Sequence, residues 1–465
     1  MVRTRIAPSP TGFPHIGTIY QILFDYAYAK KYKGKFILRL EDTDKKRFVE
    51  GAEEVLKKSI EWFNLIPDED PWKGGKYAPY RQSERLEIYK KYVQELINKN
   101  HAYYCFCSRE RLEEMRKKQI AEKKMPKYDK FCLNLTRDEV EKKLKNNIPY
   151  VVRMKIPDNR VVAFTDMILG EIKFDSNIID DQVILKSDEF PTYHLGVVVD
   201  DHLMEITHVI RGREWISSTP KHILLYEFFG WKPPIHAHVP LILNTDGKGK
   251  LSKRHGHASV EYYRSLGYLP EAVLNFLSNL VWYHPGNKEI YSLEEFIKLF
   301  ELEKINSQGA RFNLQKLDWI NGEYIRQTQN LKLKDLILQF YDNKLDENMV
   351  EKTVPLVKER MKKLSDYLPL AEFLFKKLEK SEVDLSTKKE LIKKMHDVLL
   401  SVNDWNADVI GEAMQNLAKK EGVKTGEFFM TLRVAITGKK ISPPLNESME
   451  ILGKEECLAR LKSLI

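Results

Sequence analysis

The sequence predicts an α/β protein whose first domain is doubly wound, split by an insertion and followed by an all-helical region. The first 63 residues alternate between strand, loop, helix, strand and helix, which is typical of an open parallel sheet. Short strands and turns dominate residues 148–186, and helical periodicity dominates from about residue 257 onward. A chain of 465 residues is also too long for one ordinary hydrophobic core, so we expect several domains.

The opening α/β unit begins with a short buried strand over residues 3–7, followed by the loop PSPTGFPHIGT. Apolar residues then recur at helical spacing, lysines crowd the end of this helix, and Gly34 is predicted to cap it. The segment FILRL predicts a second strand that ends at Glu41. An amphipathic helix is expected from there to about Phe63.

The middle of the chain predicts an insertion into this α/β domain. Residues 85–123 are helical in period, and the strand signal returns over 182–199 in VILKS and YHLGVVVDD. One further strand, ITHVIRG, and one further helix, STPKHILLYEFFG, complete the domain. The expected division is 1–85 with 188–245 for the split α/β domain, 86–187 for the insertion, and 246–325 and 326–465 for two helical parts.

Composition restricts the class of protein. Lys and Arg number 76 against 67 Asp and Glu, and the net charge of +9 permits a polyanionic partner without requiring one. No apolar run approaches the ~18 residues that span a bilayer, and the N-terminus has no apolar stretch of signal-peptide length. We therefore expect a cytoplasmic protein. Three of the four cysteines, Cys105, Cys107 and Cys132, lie within 28 residues, which favours a metal site over a disulfide.

The segment from Pro8 to Gly17 lies between the end of a predicted strand and the start of a helix. Ligands of open α/β sheets bind at that edge, and a helix N-terminus favours phosphate. Gly12 and Gly17 let the backbone approach a ligand closely, and His15 could donate to a phosphate oxygen. Taken alone, the segment is better described as a surface turn rich in Pro and Gly, with an incidental histidine.

A second segment, DGKGKLSKRHG at residues 246–256, places Lys250 and Lys253 on either side of a serine. A Gly-rich loop with two lysines can close over a triphosphate and neutralise charge that develops at phosphorus. The alternative is a flexible basic surface loop.

Together, the His-Ile-Gly turn and the Lys-Leu-Ser-Lys-Arg loop resemble the paired signature of class I aminoacyl-tRNA synthetases. The words RIAPSPTGFPHIG, LRLEDTD, PTYHLGVVVDDHLMEITHVIRGREWISSTPKH and KLSKRHG resemble the bacterial-type glutamyl-tRNA synthetase family from residue 3 to at least residue 325. The resemblance implies a Rossmann-like catalytic domain, an inserted α+β acceptor-binding domain, and all-α stem-contact and anticodon-binding regions. A bacterial-type glutaminyl enzyme would carry β-barrels in place of the C-terminal helices.

The resemblance implies an ATP- and Mg²⁺-dependent ligase, expected to be monomeric, that activates glutamate to glutamyl-adenylate and transfers it to tRNA(Glu). Three alternatives remain at this point. The enzyme could also glutamylate tRNA(Gln), it could be a small nucleotidyltransferase that shares the His-Ile-Gly turn, or it could be a non-catalytic RNA-binding homologue.

Site residues carried over from the family fall into three groups. In the first, His15, Lys250 and Lys253 contact the phosphates. In the second, the glutamate pocket, Arg211 binds the side-chain carboxylate and Arg5 the α-carboxylate, Ser9 and Glu41 hold the ammonium, Tyr193 donates a hydroxyl, and Ala7 and Val197 complete the wall. The third group, at the ATP site, consists of Gly12, Gly17, Glu214, Trp215, Leu241, Ile242 and Lys253.

At this site, two positions depart from the family pattern. Val197 stands where many members have Asn, and Arg213 replaces an acidic residue that is common before Glu214. Without the resemblance, Arg5 and Arg211 would be read as surface ion pairs.

The cysteine cluster resembles the zinc site in the acceptor-binding insertion of some family members. The expected histidine is replaced by Asn134, and Tyr128 with Cys132 resembles the pairing in the glutamyl-queuosine paralogue, so the implied ligands are Cys105, Cys107, Tyr128 and Cys132. The alternative is a set of reduced cysteines without metal. Arg360 is a candidate for reading the third anticodon base, although a solvated helix charge is the simpler explanation.

Overall fold

The structure is a computed structural model that describes residues 1–247, 249, 251, 258–378 and 381–465. These residues form two compact units. The first contains Met1–Val260 and Leu274–Phe312, and the second contains Glu261–Val273 and Asn313–Ile465. Within the described residues, no helix combines the length and apolar character needed to cross a membrane.

The first unit opens with a parallel β–α–β arrangement: β1 Arg3–Ile6, α1 Ile16–Lys31, β2 Lys35–Leu38 and then α2 Ala52–Trp62. Strand β1 pairs with β2 over their whole length, and α1 is buried along most of its surface. The helix predicted to begin directly after the second strand starts later than expected, because Gly51 adopts a left-handed φ of 77° just before α2.

The predicted cap at Gly34 is wrong. Helix α1 ends at Lys31, and it is Lys33 that adopts the left-handed conformation, with φ 51°. A Cβ on Gly34 would lie 2.2 Å from the carbonyl oxygen of Val2. Glycine is therefore needed there because the start of β1 passes too close for any side chain.

The segment 86–187, which the sequence predicts to be an insertion, contains α3 Leu86–Asn98, β3 Ala102–Cys105, α4 Arg109–Ala121, α5 Arg137–Lys145, β4 Val151–Met154, β5 Val161–Asp166, β6 Gly170–Asp175 and β7 Val183–Leu185. Strands β3, β4 and β7 form an antiparallel sheet. The prediction of continuous helix over 85–123 is wrong at β3. Asn100, with φ 59°, turns the chain after α3, and the next four residues pair with β4.

The chain continues with α6 Tyr193–Leu203, β8 His208–Gly212, α7 Thr219–Phe229, β9 Ile235–Val239 and β10 Ile242–Leu243. Strand β8 runs parallel to β9, in the order β6–β5–β9–β8, and Thr207 N–H donates to the Arg3 carbonyl of β1. The strand predicted at YHLGVVVDD is wrong, because this segment is α6. Residues 195–201 of α6 are all buried, so the helix carries no polar stripe that would reveal its period.

Among the described residues from 260 onward, the regular structure is helical, as predicted, apart from the two-residue strand β11 Ala310–Arg311, which pairs with β10. The preceding helices are α8 Val260–Ser265, α9 Pro270–Asn279 and α10 Leu293–Leu299. The second unit continues with α11 Leu314–Gln327, α12 Asn330–Phe340, α13 Glu347–Val357, α14 Tyr367–Ala371, α15 Lys389–Leu400, α16 Ala407–Lys420, α17 Thr425–Thr437, α18 Leu445–Leu452 and α19 Lys454–Lys462. Helices α15 to α19 pack around a shared apolar core.

Candidate active site

A cavity of about 840 Å³ opens at the carboxyl ends of β1, β8 and β9. Most of the site residues predicted from the sequence lie in its wall: Arg5, Ala7, Ser9, His15, Gly17, Glu41, Tyr193, Val197, Arg211, Glu214, Trp215, Leu241 and Ile242. Gly12 lines a smaller adjoining cavity of about 210 Å³, which shares Ser9 and His15. Lys250 and Lys253 lie outside the described residues.

His15 forms the N-cap of α1. Its Nδ1 accepts the Gly17 N–H at 2.9 Å, so the neutral imidazole carries its proton on Nε2. A Cβ on Gly17 would lie 3.1 Å from that Nδ1, which explains why a glycine follows the histidine at this spacing. The histidine is thus held as a potential donor at the wall of the cavity.

Described residues within the lysine segment and just after it are anchored near the cavity. Leu251 lines it and donates its N–H to Ile242 O at 2.9 Å. After the segment, Ala258 O accepts the Ile16 N–H at 2.7 Å, and Val260 N–H donates to Pro14 O. Leu251 of the predicted phosphate loop therefore joins β10, and the residues after the loop join the turn that carries His15.

Arg211 lies at the carboxyl end of β8 and is 2% exposed. Its Nε donates to His238, Nη1 contacts Tyr193 Oη at 2.9 Å and His222, and Nη2 donates to Thr219 Oγ1 at 2.7 Å. Every one of these partners is a neutral acceptor, and among the described residues no carboxylate pairs with this guanidinium. A buried cation without a counter-ion is costly, so the geometry favours an anionic ligand in the cavity.

Arg5 is held differently from Arg211. Its Nε donates to both carboxylate oxygens of Asp201 at 3.0 and 3.1 Å, and Arg39 donates to the same carboxylate at 2.8 Å. Burial alone would raise the pKa of Asp201, but Arg5 and Arg39 more than offset it and hold that pKa below its ordinary value. Arg5 therefore lines the cavity with its positive charge partly balanced by the Asp201 carboxylate, which it shares with Arg39.

Glu41 also lines the cavity, and its Oε1 accepts a hydrogen bond from Arg39 Nη2 at 3.2 Å. Burial raises the pKa of its carboxyl to about 7, although Arg39 and Arg5 oppose the shift. The Glu41 carboxylate is thus charged at neutral pH only in part, and a cation bound beside it would favour the charged form.

Sequence reasoning missed the residues that support this wall. Arg39, Asp200 and Asp201 form a buried ion-pair network. Asp200 also accepts hydrogen bonds from Gln82, Arg85 and Tyr89. The sequence does contain a signal for this network, the adjacent acids Asp200 and Asp201 at the end of VVVDD. Two charges next to a buried apolar run need buried partners of opposite charge.

The apolar and aromatic wall is formed by Tyr193, Val197 and Trp215. The rings of Tyr193 and Trp215 lie 4.6 Å apart, and burial raises the pKa of the Tyr193 hydroxyl. Val197 is 2% exposed and offers no polar atom to a ligand. Arg213 is not part of this wall. Its side chain is exposed and donates to Ser307 O at 3.3 Å.

The four predicted metal ligands lie together in the insertion. The three cysteine Sγ atoms lie within 4.8 Å of one another, with Cys107 and Cys132 at 3.5 Å. Tyr128 Oη lies 3.4 Å from Cys105 Sγ and 3.3 Å from Cys107 Sγ. Tetrahedral zinc with ~2.3 Å bonds to sulfur places its ligand atoms about 3.8 Å apart. The Cys₃Tyr set therefore fits a zinc ion in both chemistry and spacing.

Arg360 lies in the second unit, on a short 3₁₀ turn that follows α13. Its side chain is exposed, which accommodates both the predicted contact with an anticodon and a solvated charge.

Two family descriptions match the chain. One, tRNA synthetases class I (E and Q), catalytic domain, matches residues 1–319, and the other, anticodon binding domain, matches residues 329–465. A curated protein of Chloroherpeton thalassium named glutamate–tRNA ligase is 42% identical, with 100% of this chain and 97% of that protein covered. A Borrelia recurrentis protein of the same name is 43% identical, with 99% and 94% covered.

A solved structure agrees with these matches. The glutamate tRNA ligase of Elizabethkingia meningosepticum, crystallised in complex with its amino acid, is similar to this chain at 37% identity and a TM-score of 0.91. The alignment covers 100% of this chain and 99% of that chain. These matches confirm the predicted fold class.

Proposed function

This chain belongs to the class I tRNA synthetases for glutamate and glutamine, and we propose that it is a glutamate–tRNA ligase. The observation that carries the proposal is the buried Arg211 guanidinium, whose partners among the described residues are all neutral. A substrate carboxylate supplies the missing charge and matches the planar fork of the guanidinium. The relative crystallised with its amino acid supports a ligand of this class.

The proposed reaction needs no protein nucleophile. A carboxylate oxygen of glutamate attacks the α-phosphorus of ATP, which forms glutamyl-adenylate and releases pyrophosphate. A terminal ribose hydroxyl of the tRNA then attacks the activated carbonyl, and AMP leaves. Positioning and charge stabilisation supply the catalysis.

In the glutamate pocket, we assign Arg211 to the side-chain carboxylate and Arg5 to the α-carboxylate. Glu41 and Ser9 hold the ammonium, because both line the same wall of the cavity. Tyr193, Ala7 and Val197 complete the pocket. The neutral side-chain amide of glutamine cannot supply the negative charge that would balance Arg211, so the pocket rejects glutamine.

ATP enters as its Mg²⁺ complex, and the phosphates lie beside His15 at the N-terminus of α1. His15 Nε2–H donates to a phosphate oxygen, and Gly12 and Gly17 leave room for the approach. We assign Lys250 and Lys253 to the phosphates from the sequence motif. The nucleoside occupies the wall formed by Glu214, Trp215, Leu241 and Ile242.

For the tRNA, we propose that the insertion at 86–187 contacts the acceptor end and that 246–325 contacts the stem. Residues 326–465 engage the anticodon arm, with Arg360 as the candidate for base reading. A family description for anticodon binding matches nearly the same range, 329–465, which supports this division. We place the reaction in protein synthesis in the cytoplasm, with a monomer as the active form.

The central experiment is aminoacylation of purified tRNA(Glu) and tRNA(Gln) with labelled glutamate and ATP. Charging of tRNA(Glu) alone supports the proposal. Charging of both tRNAs would identify the broader form, which the named relatives do not favour. Charging of neither, with Mg²⁺ and zinc present, would overturn the enzymatic assignment.

The role of Arg211 is tested by Arg211→Gln beside the matched control Arg213→Gln, two residues away and exposed. We expect Arg211→Gln to lower kcat/KM for glutamate about 100-fold or more, since a charge-assisted bidentate contact is lost. The control stays within about twofold of the wild type. Equal activity of the two variants would contradict the assignment.

We also propose that Cys105, Cys107, Tyr128 and Cys132 bind one structural zinc ion. The support is their spacing and the thiolate-rich donor set, which suits a closed structural site. The protein as purified is expected to hold about one zinc per chain by mass spectrometry of the metal. Cys132→Ser loses it, whereas Cys457→Ser, a buried free cysteine of the second unit, keeps it. Wild-type protein without zinc would contradict the proposal.

A further inference from the structure

A chain of hydrogen bonds runs through the protein with Arg211 at its centre. It consists of Asp166, His238, Arg211, His222 and His194, with donor–acceptor distances of 2.7, 3.1, 3.3 and 3.1 Å in that order. We infer that His222 and His238 are positioning residues that hold the Arg211 guanidinium for the substrate carboxylate while leaving its charge uncompensated. The inference rests on the proposed function, because it assigns these residues to the same glutamate pocket.

The direction of the chain follows from the guanidinium, which has donors and no acceptor. His238 Nε2 must therefore accept the Arg211 Nε–H, and its proton must lie on Nδ1. That Nδ1–H donates to Asp166 at 2.7 Å. Asp166 is fixed in turn by the backbone N–H groups of Ile168 and Leu169, each at 3.0 Å. Arg211 on one side and Asp166 on the other thus fix His238 in the tautomer that carries its proton on Nδ1.

The other half of the chain is determined in the same way. His222 Nδ1 accepts from Arg211 Nη1, so its proton lies on Nε2, which donates to His194 Nδ1. Burial and the nearby Arg211 lower the pKa of His222 well below its ordinary value. Burial, Lys221 and Arg211 lower the pKa of His194 to about 3. Both rings are therefore neutral near pH 7.

This arrangement differs from the usual support of a buried arginine by a carboxylate. Asp166 is separated from the guanidinium by the whole imidazole of His238, which transmits the orientation without a direct ion pair. The strand register explains the geometry, because Arg211 of β8 lies opposite His238 of β9. Thr219 Oγ1 accepts a hydrogen bond from Arg211 Nη2 and lies 3.1 Å from His238 Nε2. Thr219 therefore links the guanidinium to His238.

A second consequence concerns selectivity between glutamate and glutamine. An arginine that keeps its full charge gains more from a carboxylate than from an amide. If His222 or His238 loses its acceptor atom, Arg211 keeps its charge but loses its orientation. The affinity for glutamate should therefore fall, and the preference for glutamate over glutamine should fall with it.

The test compares His222→Leu, which removes the acceptor, with His222→Asn, whose amide oxygen can replace Nδ1. Steady-state aminoacylation of tRNA(Glu) is measured for both, together with His202→Leu, a control histidine that stacks on Trp231 away from the cavity. We expect His222→Leu to raise the KM for glutamate about 10- to 100-fold and the KM for ATP less than about twofold. His222→Asn restores the glutamate KM to within about fivefold of the wild type, and the control leaves it unchanged.

A glutamate KM that is unchanged in His222→Leu, or raised equally with the KM for ATP, would overturn the inference. So would a His222→Asn variant as impaired as His222→Leu. If His222→Leu does not fold, as judged by thermal unfolding, the same comparison is made with His238→Leu and His238→Gln, whose amide oxygen can replace Nε2.

An independent readout is the tautomer itself. In ¹⁵N-histidine-labelled wild-type protein, one- and two-bond ¹⁵N–¹H correlations should place the proton of His238 on Nδ1 and that of His222 on Nε2. The opposite tautomer at either ring would overturn the inference even if the protein charges tRNA(Glu). Absence of charging by the wild type would instead refute the proposed function, so the two failures are distinguishable.

Discussion

Glu41 is 7% exposed in the wall of the cavity, and burial raises the pKa of its carboxyl to about 7. In the proposed pocket, an ionised Glu41 attracts the ammonium of glutamate, whereas a protonated Glu41 does not. As the pH falls from 8 to 6, the carboxyl takes up its proton, so the KM for glutamate should rise, approaching tenfold per unit at the acidic end. Glutamate itself has no group that titrates in this range, so the change reports on the protein.

The prediction is checked by measuring the glutamate KM from pH 6 to 8 at saturating ATP and tRNA. Glu41→Gln should give a high KM that varies little with pH, while Glu61→Gln, an exposed residue of α2, should follow the wild type. A flat wild-type profile would argue against a direct role of Glu41 at the ammonium.

At the scale of elements, the sequence located the strand–turn–helix that presents His15 because the loop, the helix period and the flanking strands all agree locally. It did not locate α6, since a segment buried on all sides has no polar face to set its period. It also could not pair His238 with Arg211, because that contact depends on the register of β9 against β8. Contacts that arise only from strand pairing are invisible in one sequence.

Gly34 offers a test of one such close approach between elements. Replacing it by Ala would place a Cβ 2.2 Å from the Val2 carbonyl oxygen, so β1 or the turn after α1 must shift. We expect Gly34→Ala to lower the free energy of unfolding by about 1–3 kcal/mol, as overpacked sites do.

The matched variant is Gly426→Ala, in the first turn of α17, where an added Cβ meets no atom within 4 Å. It should be neutral or stabilising, because Ala is the better helix former. Chemical denaturation of both variants gives the comparison, and equal stability of Gly34→Ala and the wild type would rule out the steric explanation.

At the scale of the molecule, the two units carry different kinds of recognition. In the proposed function, the first unit binds glutamate and ATP through buried groups, among them Arg5 and Arg211, which are each 2% exposed. The second unit matches an anticodon binding domain, where contact with a polyanion depends on exposed Lys and Arg. Salt screens exposed charges strongly and buried charges weakly, so the two substrates should respond differently to ionic strength.

Raising the salt concentration from 50 to 200 mM should therefore weaken tRNA(Glu) binding at least about tenfold, because each phosphate contact releases counterions. The KM for glutamate should change less than about twofold, since the proposed partner of its carboxylate, Arg211, is buried. Filter binding of tRNA and steady-state kinetics at fixed tRNA occupancy measure the two quantities. If tRNA binding were insensitive to salt, recognition would have to come from stacking and base contacts in place of phosphates, and the net charge of +9 would play no part in it.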